Sequence, residues 1–550
     1  MEKEGYWQGF WEGWVVDKDD LGYPLPQGIS VEGEWFKEGI ITGKDVSVPM
    51  RDGVKLAADV FRPDKPGKFP VIASFTPYSK DLYGWGKTWG VHHHKLSEAT
   101  SFEAADPGFW VPNDYVVVLI DNRGYGNSEG MQLGYRRGED QYDGIEWAGT
   151  QKWSNGNVGM TGISALGACQ WYAAQLRPPH LKAIVPWEAT TMLPTVRYGG
   201  ILETGFYQKR HLFMPPIKPE LGQAVPAEVP PTKLVFEDIV VPALICATWS
   251  DQELHTRGTL RAYQAISSEQ KWLFTHGGRK WAQYYSPEAL TIQKEFFDYF
   301  LKGIDSRIME TPRVRLEVRE TLEKYTVRYE NEWPIARTKY RKLYLDAGTG
   351  TLNFDKIIQK GKVSYDSSGG KAVFHIKFDQ DTELTGHMKL KLWVSPEDAD
   401  DMDLFITLKK LDANGNEVLF ESCHAPLRYP VALGWLRLSK RQLDEKKSLP
   451  WQPIQTFAVE QKVKLGEIVP AEIEIIASST LFRKGETLRL VISGKSQVKS
   501  TRYVYEDINK GKHSIYTGGK YGSYLLIPMI PQSVADIRRS RSRLPSQGGT

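Results

Sequence analysis

The sequence predicts two successive domains, a mixed α/β domain built on a parallel sheet and an all-β sandwich. In the first half, short apolar runs alternate with helix-like stretches, which is typical of a parallel sheet covered by helices on both faces. In the second half, segments with period-two alternation follow one another without convincing helices. The chain of 550 residues is long enough for both, because a typical domain has roughly 100–200 residues.

The first half begins with a hairpin and continues as alternating strands and helices. The turn Arg51-Asp52-Gly53 separates two strand-like segments, and Gly53 can take the positive φ that such a turn requires. Each apolar run after it ends in a polar or Gly-rich loop. The predicted strands are 70–75, 115–120, 158–163, 183–185, 243–247 and 272–275, and the predicted helices include 140–147 and 165–176.

Domain boundaries follow from changes in this pattern. The Pro-rich stretch between Val185 and Ala243 is too long for a simple crossover, so a short helical cap inserted over the sheet is predicted there. After Leu301-Lys302-Gly303 the period-two strands begin, and their number favours an antiparallel sandwich of the jelly-roll type. The predicted organisation is an N-terminal arm (1–43), the α/β domain (44–310, cap about 190–240), the sandwich (311–535) and a basic flexible tail (536–550).

Composition excludes several classes of partner. The net charge of +3 is too small to indicate a nucleic-acid or membrane partner, and for the basic tail a solvated terminus is favoured over nucleic-acid contact. The three cysteines are far apart and form no disulfide framework, which predicts a reducing, cytoplasmic setting. No secretory signal or membrane span is recognised, and a homodimer is left open.

The strongest local motif is a serine between a predicted strand and a predicted helix. Gly162-Ile163-Ser164-Ala165-Leu166-Gly167 follows one of the apolar runs. On a sharp strand-to-helix turn a serine hydroxyl is lifted above the sheet, and small neighbours are needed because backbones approach closely. The spacing is Gly-x-Ser-x-x-Gly rather than the strict Gly-x-Ser-x-Gly. Its position predicts that Ser164 is the nucleophile of an α/β-hydrolase domain.

A serine nucleophile needs a base and an acid, which follow it in chain order in this fold class. Asp251 follows the predicted strand 243–247, and His276 ends the next one. Both therefore lie at the carboxyl edge, the same edge as Ser164. A helix cap for Asp251 and a core role for His276 are the structural alternatives. His255 is interpreted as lying on a helix surface, and His92-His93-His94 as a polar loop rather than a metal site.

The oxyanion of an acyl transfer reaction needs two hydrogen-bond donors. One candidate is the backbone N–H of Ala165, and the other is the phenol of Tyr78 in the loop Thr76-Pro77-Tyr78-Ser79-Lys80. From composition alone Tyr78 is better interpreted as a packing residue. No H-E-x-x-H, paired C-x-x-C or P-loop pattern is present, so we expect no metal or other cofactor.

These segments together resemble the cocaine esterase / X-prolyl dipeptidyl-peptidase family of serine hydrolases (CocE/NonD type), from about residue 44 to about residue 530. The resemblance implies a Ser–Asp–His triad of Ser164, Asp251 and His276 and gives Tyr78 the role of an oxyanion donor. The matching segments are Met50–Leu56, Thr76-Pro77-Tyr78, Asp121–Gly130, Trp153–Met160, Gln170-Trp171, Trp249-Ser250-Asp251, Gly434–Arg437, Leu481–Gly485 and Gly518-Gly519.

The chain departs from the family pattern at two positions. Ala165 stands where the family usually has a tyrosine, so the backbone N–H is retained while the wall of the acyl pocket changes. The usual histidine lies in a Gly-Pro-Trp-x-His segment that this sequence lacks, and a direct alignment places Lys280 there. We favour His276 over Lys280 as the base, because His276 comes directly off the predicted strand.

Three functions are compatible with these residues. The first is a serine hydrolase acting on a small ester or amide substrate, with Trp187 and Trp249 shaping the acyl pocket or packing in the core. The second is a dipeptidyl or proline-type exopeptidase, in which Glu188 or Glu203 would hold the amino group of the substrate. The third, least favoured, is a non-catalytic binding protein that uses the β-sandwich.

Overall fold

A computed structural model of the chain describes residues 39–83, 96–131, 138–189, 198–206, 233–423, 428–500, 502–531 and the backbone of 539–542. The chain divides into two compact units. The first comprises Met1–Thr191, Arg210–Thr248 and Gly258–Val314, and the second comprises Met192–Lys209, Trp249–Arg257 and Arg315–Thr550. A short segment after residue 248 therefore belongs to the second unit, although it interrupts the sequence of the first.

In the first unit, eight strands lie side by side in the order β1-β2-β4-β3-β5-β6-β7-β8. The pairs β1–β2 and β2–β4 are antiparallel, and all later pairs are parallel. The strands are β1 Ile40–Pro49, β2 Lys55–Pro63, β3 Phe69–Thr76, β4 Val116–Asp121, β5 Ser154–Ile163, β6 Leu181–Trp187, β7 Ala243–Thr248 and β8 Lys271–His276. The helices are α1 Pro107–Trp110, α2 Glu139–Thr150, α3 Ser164–Gln175, α4 Thr256–Ala265, α5 Lys280–Tyr284 and α6 Pro287–Lys302.

The central strands are buried on both faces, which explains their continuous apolar sequences. All eight residues of β3 are buried. Because side chains alternate along a strand, Ile72 and Phe75 point to opposite faces. Ile72 belongs to the same apolar cluster as Phe297 of α6, whereas the ring of Phe75 lies against Gly144 of α2. Helices thus cover both faces of the sheet.

In the second unit the described residues from Arg315 onward contain strands and short 3-10 turns but no α-helix. One group of antiparallel strands runs β14-β19-β16-β17, and another runs β11-β21-β15-β20-β13 with β18 beside β15. A single large apolar cluster draws residues from both groups. The main strands are β9 Val314–Arg319, β10 Lys324–Glu330, β11 Lys339–Asp346, β12 Thr351–Asn353, β13 Gly361–Asp366, β14 Lys371–Lys377, β15 Thr382–Pro396, β16 Asp403–Leu411, β17 Ala432–Arg437, β18 Val469–Phe482, β19 Thr487–Ser493, β20 Lys512–Thr517 and β21 Tyr524–Ile530. Short strands are also formed by Glu417–Val418, Phe420–Glu421, Arg428–Tyr429, Tyr505–Glu506 and Arg539–Ser542.

The predicted strands and helices of the first half are confirmed, with ends that agree within four residues. Several other predictions concern residues outside the described ranges: most of the N-terminal arm, His92-His93-His94, most of the cap at about 190–240, and the basic tail apart from 539–542. The three cysteines are free and buried. Among the described residues, no helix combines the length and the apolar character needed to cross a bilayer.

Candidate functional site

Ser164 occupies the sharp turn that the sequence predicts. β5 ends at Ile163 in an extended conformation, and α3 begins at the next residue. The φ of Ser164 is 56°, a left-handed value that is costly for a residue with a side chain and that accumulates at functional sites. Its neighbour Ala165 is buried in the first turn of the helix, where backbone N–H groups have no partner within the helix. A serine with a positive φ at the start of a helix is the arrangement expected of a nucleophile turn.

Both glycines of the motif are required by close contacts. Gly162 has a φ of 150°, and a Cβ there would lie 2.6 Å from the Cβ of Leu166. A Cβ on Gly167 would lie 2.9 Å from the Cβ of Ala189 and 2.9 Å from the carbonyl oxygen of Gly162. These separations are shorter than any normal carbon contact. The unusual Gly-x-Ser-x-x-Gly spacing is therefore explained by packing within the turn itself.

His276 ends β8, where it pairs in register with Thr248 of β7. Its Nε2 lies 3.0 Å from Oε1 of Glu188, and both side chains are completely buried. Glu188 directly follows β6, has a φ of 46° and donates its N–H to the carbonyl oxygen of Cys246 at 2.9 Å. The structure thus gives the candidate base a carboxylate partner from the end of β6, which β7 separates from β8 in the sheet.

Ser164 and Glu188 occupy equivalent positions on adjacent strands. Ile163 of β5 pairs with Trp187 of β6, so Ser164 and Glu188 each follow directly after a paired residue. Glu188 is absent from the catalytic residues that the sequence predicts. The available signal was its position, a carboxylate immediately after a buried strand at the carboxyl edge of a parallel sheet, where ligands bind in open α/β sheets.

Aromatic side chains surround the imidazole. The indole of Trp187 stacks on His276 with ring centroids 6.2 Å apart and an interplanar angle of 24°. Phe274 and Tyr284 pack against the same indole at 5.2 Å and 5.3 Å, and the phenol of Tyr284 lies 2.9 Å from the hydroxyl of Thr161. Trp187, predicted to shape the acyl pocket, is fully buried and fixes the plane of the histidine.

Tyr78 lies in the loop after β3, two residues beyond the strand end. It is half-buried, its ring meets the edge of Phe102 at 5.1 Å, and its N–H donates to Oγ1 of Thr76 at 3.1 Å. The following residue, Ser79, has a φ of 97°. The predicted oxyanion donor is therefore held on a tightly turned loop at the same sheet edge as Ser164.

Ion pairs around the buried Lys80 anchor this loop. The ammonium of Lys80 lies 2.8 Å from Oδ1 of Asp45 and 3.1 Å from Oδ1 of Asp59, and its backbone N–H donates to Oδ1 of Asp121 at 2.6 Å. Burial lowers the pKa of Lys80, but the surrounding carboxylates outweigh burial and hold that pKa above its ordinary value. Burial raises the pKa of Asp121 to about 7. These contacts fix Lys80, which lies two residues after Tyr78, and they therefore help to hold the loop that carries Tyr78.

The segment Asp121–Gly130, which follows β4, also has a structural role. Oδ2 of Asp121 accepts the N–H of Asn127 at 2.9 Å, and Oγ of Ser128 donates to the carbonyl oxygen of Asp121 at 2.7 Å. The guanidinium of Arg123 pairs with Asp140 through Nε at 3.0 Å and Nη2 at 2.7 Å. These contacts fix the loop after β4.

Asp251 follows the end of β7 by three residues and lies in the segment Trp249–Arg257, which belongs to the second unit. Its carboxylate is completely buried, and its carbonyl oxygen accepts the N–H of His255 at 2.9 Å. Oδ2 of Asp251 lies 3.8 Å from Nε2 of His255. The prediction that His255 lies on a helix surface is wrong: its side chain is buried, because the whole segment is packed into the second unit.

The same segment is anchored by a buried carboxylate, Glu253. Its two oxygens accept the hydroxyl groups of Tyr429 at 2.7 Å and Tyr505 at 2.6 Å, and its carbonyl oxygen accepts the hydroxyl of Tyr198 at 2.7 Å. Burial, together with the nearby charge of Asp251, raises the pKa of Glu253 to about 7, although the hydrogen bonds from Tyr505 and Tyr429 act in the opposite direction. The loop that carries Asp251 is therefore built into the second unit by hydrogen bonds.

The remaining predicted residues are placed as follows. Trp249 is buried, and its indole N–H donates to the carbonyl oxygen of Glu317 at 2.9 Å. Lys280, the alternative base, is buried at the start of α5, with its ammonium 5.1 Å from the ring centroid of Trp281. The structure brings His276, Glu188 and Trp187 into contact, while the full triad stays a prediction. In the described part of the chain, no group of three or more His, Cys, Asp or Glu side chains is arranged to hold a metal ion.

Comparison with known protein families gives two matches along the chain. Residues 52–214 match the profile of the X-Pro dipeptidyl-peptidase S15 family. Residues 306–526 match the profile of the X-Pro dipeptidyl-peptidase C-terminal non-catalytic domain. The first match includes the turn at Ser164 and the loop at Tyr78, and the second covers most of the strands of the second unit.

Individual relatives extend over most of the chain. The crystal structure of a CocE/NonD family hydrolase from Staphylococcus aureus is 42% identical, with a TM-score of 0.83, and the match covers 90% of this chain and 94% of that one. Cocaine esterase of Rhodococcus sp. (strain MB1 Bresler) is 26% identical over 607 residues, covering 88% of this chain and 98% of the relative. A putative Xaa-Pro dipeptidyl-peptidase of Bacillus anthracis is 24% identical over 48% of this chain and 53% of its own length.

Proposed function

The chain belongs to the CocE/NonD family of hydrolases, and we propose that it cleaves the ester or amide bond of a small acyl substrate through an acyl-enzyme formed on Ser164. The observation that carries the proposal is the strained turn at Ser164, which has a positive φ between a buried strand and a helix. A serine hydrolase acting on esters or dipeptides agrees with the family matches.

The finer description of the fold is part of the same proposal. We assign the first unit to the α/β-hydrolase fold, with boundaries near 44–310 and a cap at about 190–240. The strand order β1-β2-β4-β3-β5-β6-β7-β8 with helices on both faces supports it. For residues 311–535 we propose a jelly-roll sandwich, supported by antiparallel strands around one apolar cluster. The free cysteines support a reducing, cytoplasmic setting.

In the proposed mechanism His276 takes the proton of Ser164 as the hydroxyl oxygen attacks the carbonyl carbon. The burial of His276 beside a carboxylate supports this role, since an adjacent anion stabilises the imidazolium formed in the transition state. Asp251 remains the triad acid proposed from strand order, because it follows β7 just before the strand that carries His276. Lys280 is the alternative base.

The tetrahedral intermediate carries a negative charge on the former carbonyl oxygen. We propose that the backbone N–H of Ala165 and the hydroxyl of Tyr78 donate hydrogen bonds to it. The position of Ala165 in the first turn of α3 supports the first donor, because that end of a helix also carries a partial positive charge. The proton on His276 then passes to the leaving alcohol or amine, and water hydrolyses the acyl-enzyme.

The second candidate is an exopeptidase that requires a free amino group on its substrate. The match to the S15 family profile favours keeping it. Among the carboxylates named for this role, Glu188 pairs with His276 and Glu203 accepts the N–H of Phe206 at 2.7 Å. Each carboxylate therefore already has a partner within the protein and is not set aside to bind the amino group of a substrate. The hydrolase acting on small esters or amides is our main proposal for this reason.

The experiment that tests the proposal is steady-state hydrolysis of a panel of p-nitrophenyl esters and aminoacyl p-nitroanilides, the latter with free and with acetylated amino groups. We expect ester hydrolysis by the wild type, none by Ser164→Ala, and full activity of Ser154→Ala, a buried serine at the other end of β5. Equal activity of wild type and Ser164→Ala would contradict the nucleophile. Hydrolysis restricted to anilides with a free amino group would replace the ester proposal by the exopeptidase.

A further inference from the structure

We infer that Glu103 is a positioning residue for Ser164, an inference that rests on the proposed function. The carbonyl oxygen of Glu103 accepts the N–H of Ile163 at 3.1 Å, and Ile163 is the last residue of β5 and directly precedes Ser164. The same carbonyl oxygen would lie 3.4 Å from a Cβ on Gly162. One backbone group of Glu103 therefore lies against both residues that precede the nucleophile.

The contact lies beyond the register that joins β5 to β3. The last register pair of these two strands is Ala73 with Met160, three residues before Ile163. Past that pair, Glu103 supplies an acceptor for the backbone of β5 from a loop outside the sheet. The φ of Glu103 is 62°, a left-handed value that persists in a residue with a side chain only where surrounding contacts impose it. The contacts of its side chain and of its neighbours are therefore what hold the carbonyl oxygen in place.

The side chain of Glu103 is fixed to helix α5. It is almost completely buried, and its Oε1 accepts the indole N–H of Trp281 at 3.2 Å. Trp281 is itself buried in α5, which begins four residues after His276. A carboxylate removed from water needs hydrogen-bond donors to replace its hydration, so the indole N–H stabilises Glu103 in this position.

The residues on either side of Glu103 extend the same connection. The carbonyl oxygen of Ala104 accepts the hydroxyl of Tyr285, the residue after α5, at 2.6 Å. The ring of Phe102 lies 6.2 Å from that of Trp281 and 5.1 Å from that of Tyr78, measured between centroids. The segment Phe102–Ala104 thus joins the nucleophile turn to α5 and to the proposed oxyanion donor.

The effect of Glu103 on the reaction follows from this connection. Its hydrogen bond to Ile163 fixes the end of β5, and with it the direction in which the hydroxyl of Ser164 leaves the turn. Without the contact between Glu103 and Trp281, the loop that carries the carbonyl oxygen is less firmly held. A displacement of about 1 Å in a reacting group is able to lower a rate by about 10²-fold. Such a loss appears in kcat and in the reactivity of the serine, with little change in KM.

The test breaks the contact from each side. Glu103→Met removes both carboxylate oxygens while it keeps the length of the side chain, Trp281→Phe removes the indole N–H while it keeps an aromatic ring, and a third variant combines the two. Glu103→Gln keeps an acceptor for the indole N–H. The matched control is Trp272→Phe. Trp272 is equally buried and donates its indole N–H to the carbonyl oxygen of Thr311 at 3.2 Å, but it lies near the start of β8, at the other end from His276.

For each protein we would measure kcat and KM for a p-nitrophenyl ester, the rate at which a fluorophosphonate labels Ser164, and the thermal midpoint. We expect Glu103→Met and Trp281→Phe each to lower kcat and the labelling rate by about 10–100-fold, with KM within about twofold of the wild type. The double variant should lose little more than the slower single variant, because both substitutions remove the same hydrogen bond. Glu103→Gln should keep most of the activity, and Trp272→Phe should keep the wild-type kcat while its thermal midpoint falls.

The outcomes distinguish this inference from the proposed function. Wild-type kcat and labelling in a folded Glu103→Met or Trp281→Phe variant would overturn the role of Glu103, as would a lower thermal midpoint alone, which is the behaviour of a purely structural contact. Losses that multiply in the double variant would also overturn it, since the two side chains would then act independently. If Glu103→Met does not fold, the labelling rate and thermal midpoint of Trp281→Phe decide in the same way. A wild type whose Ser164 is not labelled would instead refute the proposed function.

Discussion

Glu253 offers a quantitative test of how the segment that carries Asp251 is held. The carboxylate is fully buried, its two oxygens accept the hydroxyl groups of Tyr429 and Tyr505, and burial raises its pKa to about 7 from an ordinary value of 4.5. The folded protein therefore binds this proton more tightly than the unfolded chain does. Between those two pH values the unfolded chain releases the proton first, so stability falls as pH rises.

The magnitude follows from the shift in pKa. A difference of about 2.5 pKa units at about 1.36 kcal/mol per unit corresponds to about 3 kcal/mol lost between acid and mildly alkaline solution. Glutamine has nearly the same shape, can still accept one phenol hydroxyl, and does not titrate. Glu253→Gln should therefore gain about 3 kcal/mol in free energy of unfolding, relative to the wild type, between about pH 4.5 and about pH 8.

The assay is urea denaturation of the wild type and Glu253→Gln at both pH values, followed by circular dichroism. The control is Glu417→Gln, because Glu417 is exposed and pairs with Lys409 at 2.9 Å on the surface of the same unit. The control should follow the wild type at both pH values. If the difference in free energy of unfolding between Glu253→Gln and the wild type does not change with pH, the pKa of Glu253 is not raised by burial.

Three further predictions concern the first unit. Tyr78→Phe removes the proposed oxyanion donor and should lower kcat by about 10²–10³-fold in an ester assay; unchanged turnover would exclude that role. Gly167→Ala places a Cβ 2.9 Å from the Cβ of Ala189, so calorimetry should show a lower thermal midpoint and a fluorophosphonate should label Ser164 more slowly. Wild-type values for both measurements would refute the packing argument. Arg123→Gln leaves the carboxylate of Asp140 without its bidentate partner and should cost about 3–5 kcal/mol in urea denaturation, whereas a loss below about 1 kcal/mol would count against a buried ion pair.

The strands and helices of the first unit could be predicted from the sequence because a buried strand has an apolar local composition. β3 and β4 are continuous apolar runs, and both are buried along their whole length. The turn at Ser164 was predictable for a similar reason, since only small residues fit beside it and the motif supplies Gly162 and Gly167. In each case the information lies within a few residues of the feature.

The pairing of Glu188 with His276 could not be predicted in the same way. The two residues are 88 positions apart, and only the strand order brings the ends of β6 and β8 together, one on each side of β7. The burial of His255 escaped prediction because helical periodicity does not reveal that Trp249–Arg257 packs with strands far along the chain. Contacts set by tertiary packing leave little trace in local pattern.

The most direct test of the central claim, that Ser164 is the nucleophile of a serine hydrolase, is intact-mass measurement after treatment with a fluorophosphonate. The wild type should gain one adduct, and peptide mapping should locate it on Ser164. Ser164→Ala should gain none under the same conditions, and His276→Ala should react much more slowly because the base is missing. A wild type that gains no adduct, or a Ser164→Ala variant labelled as fast as the wild type, would contradict the account.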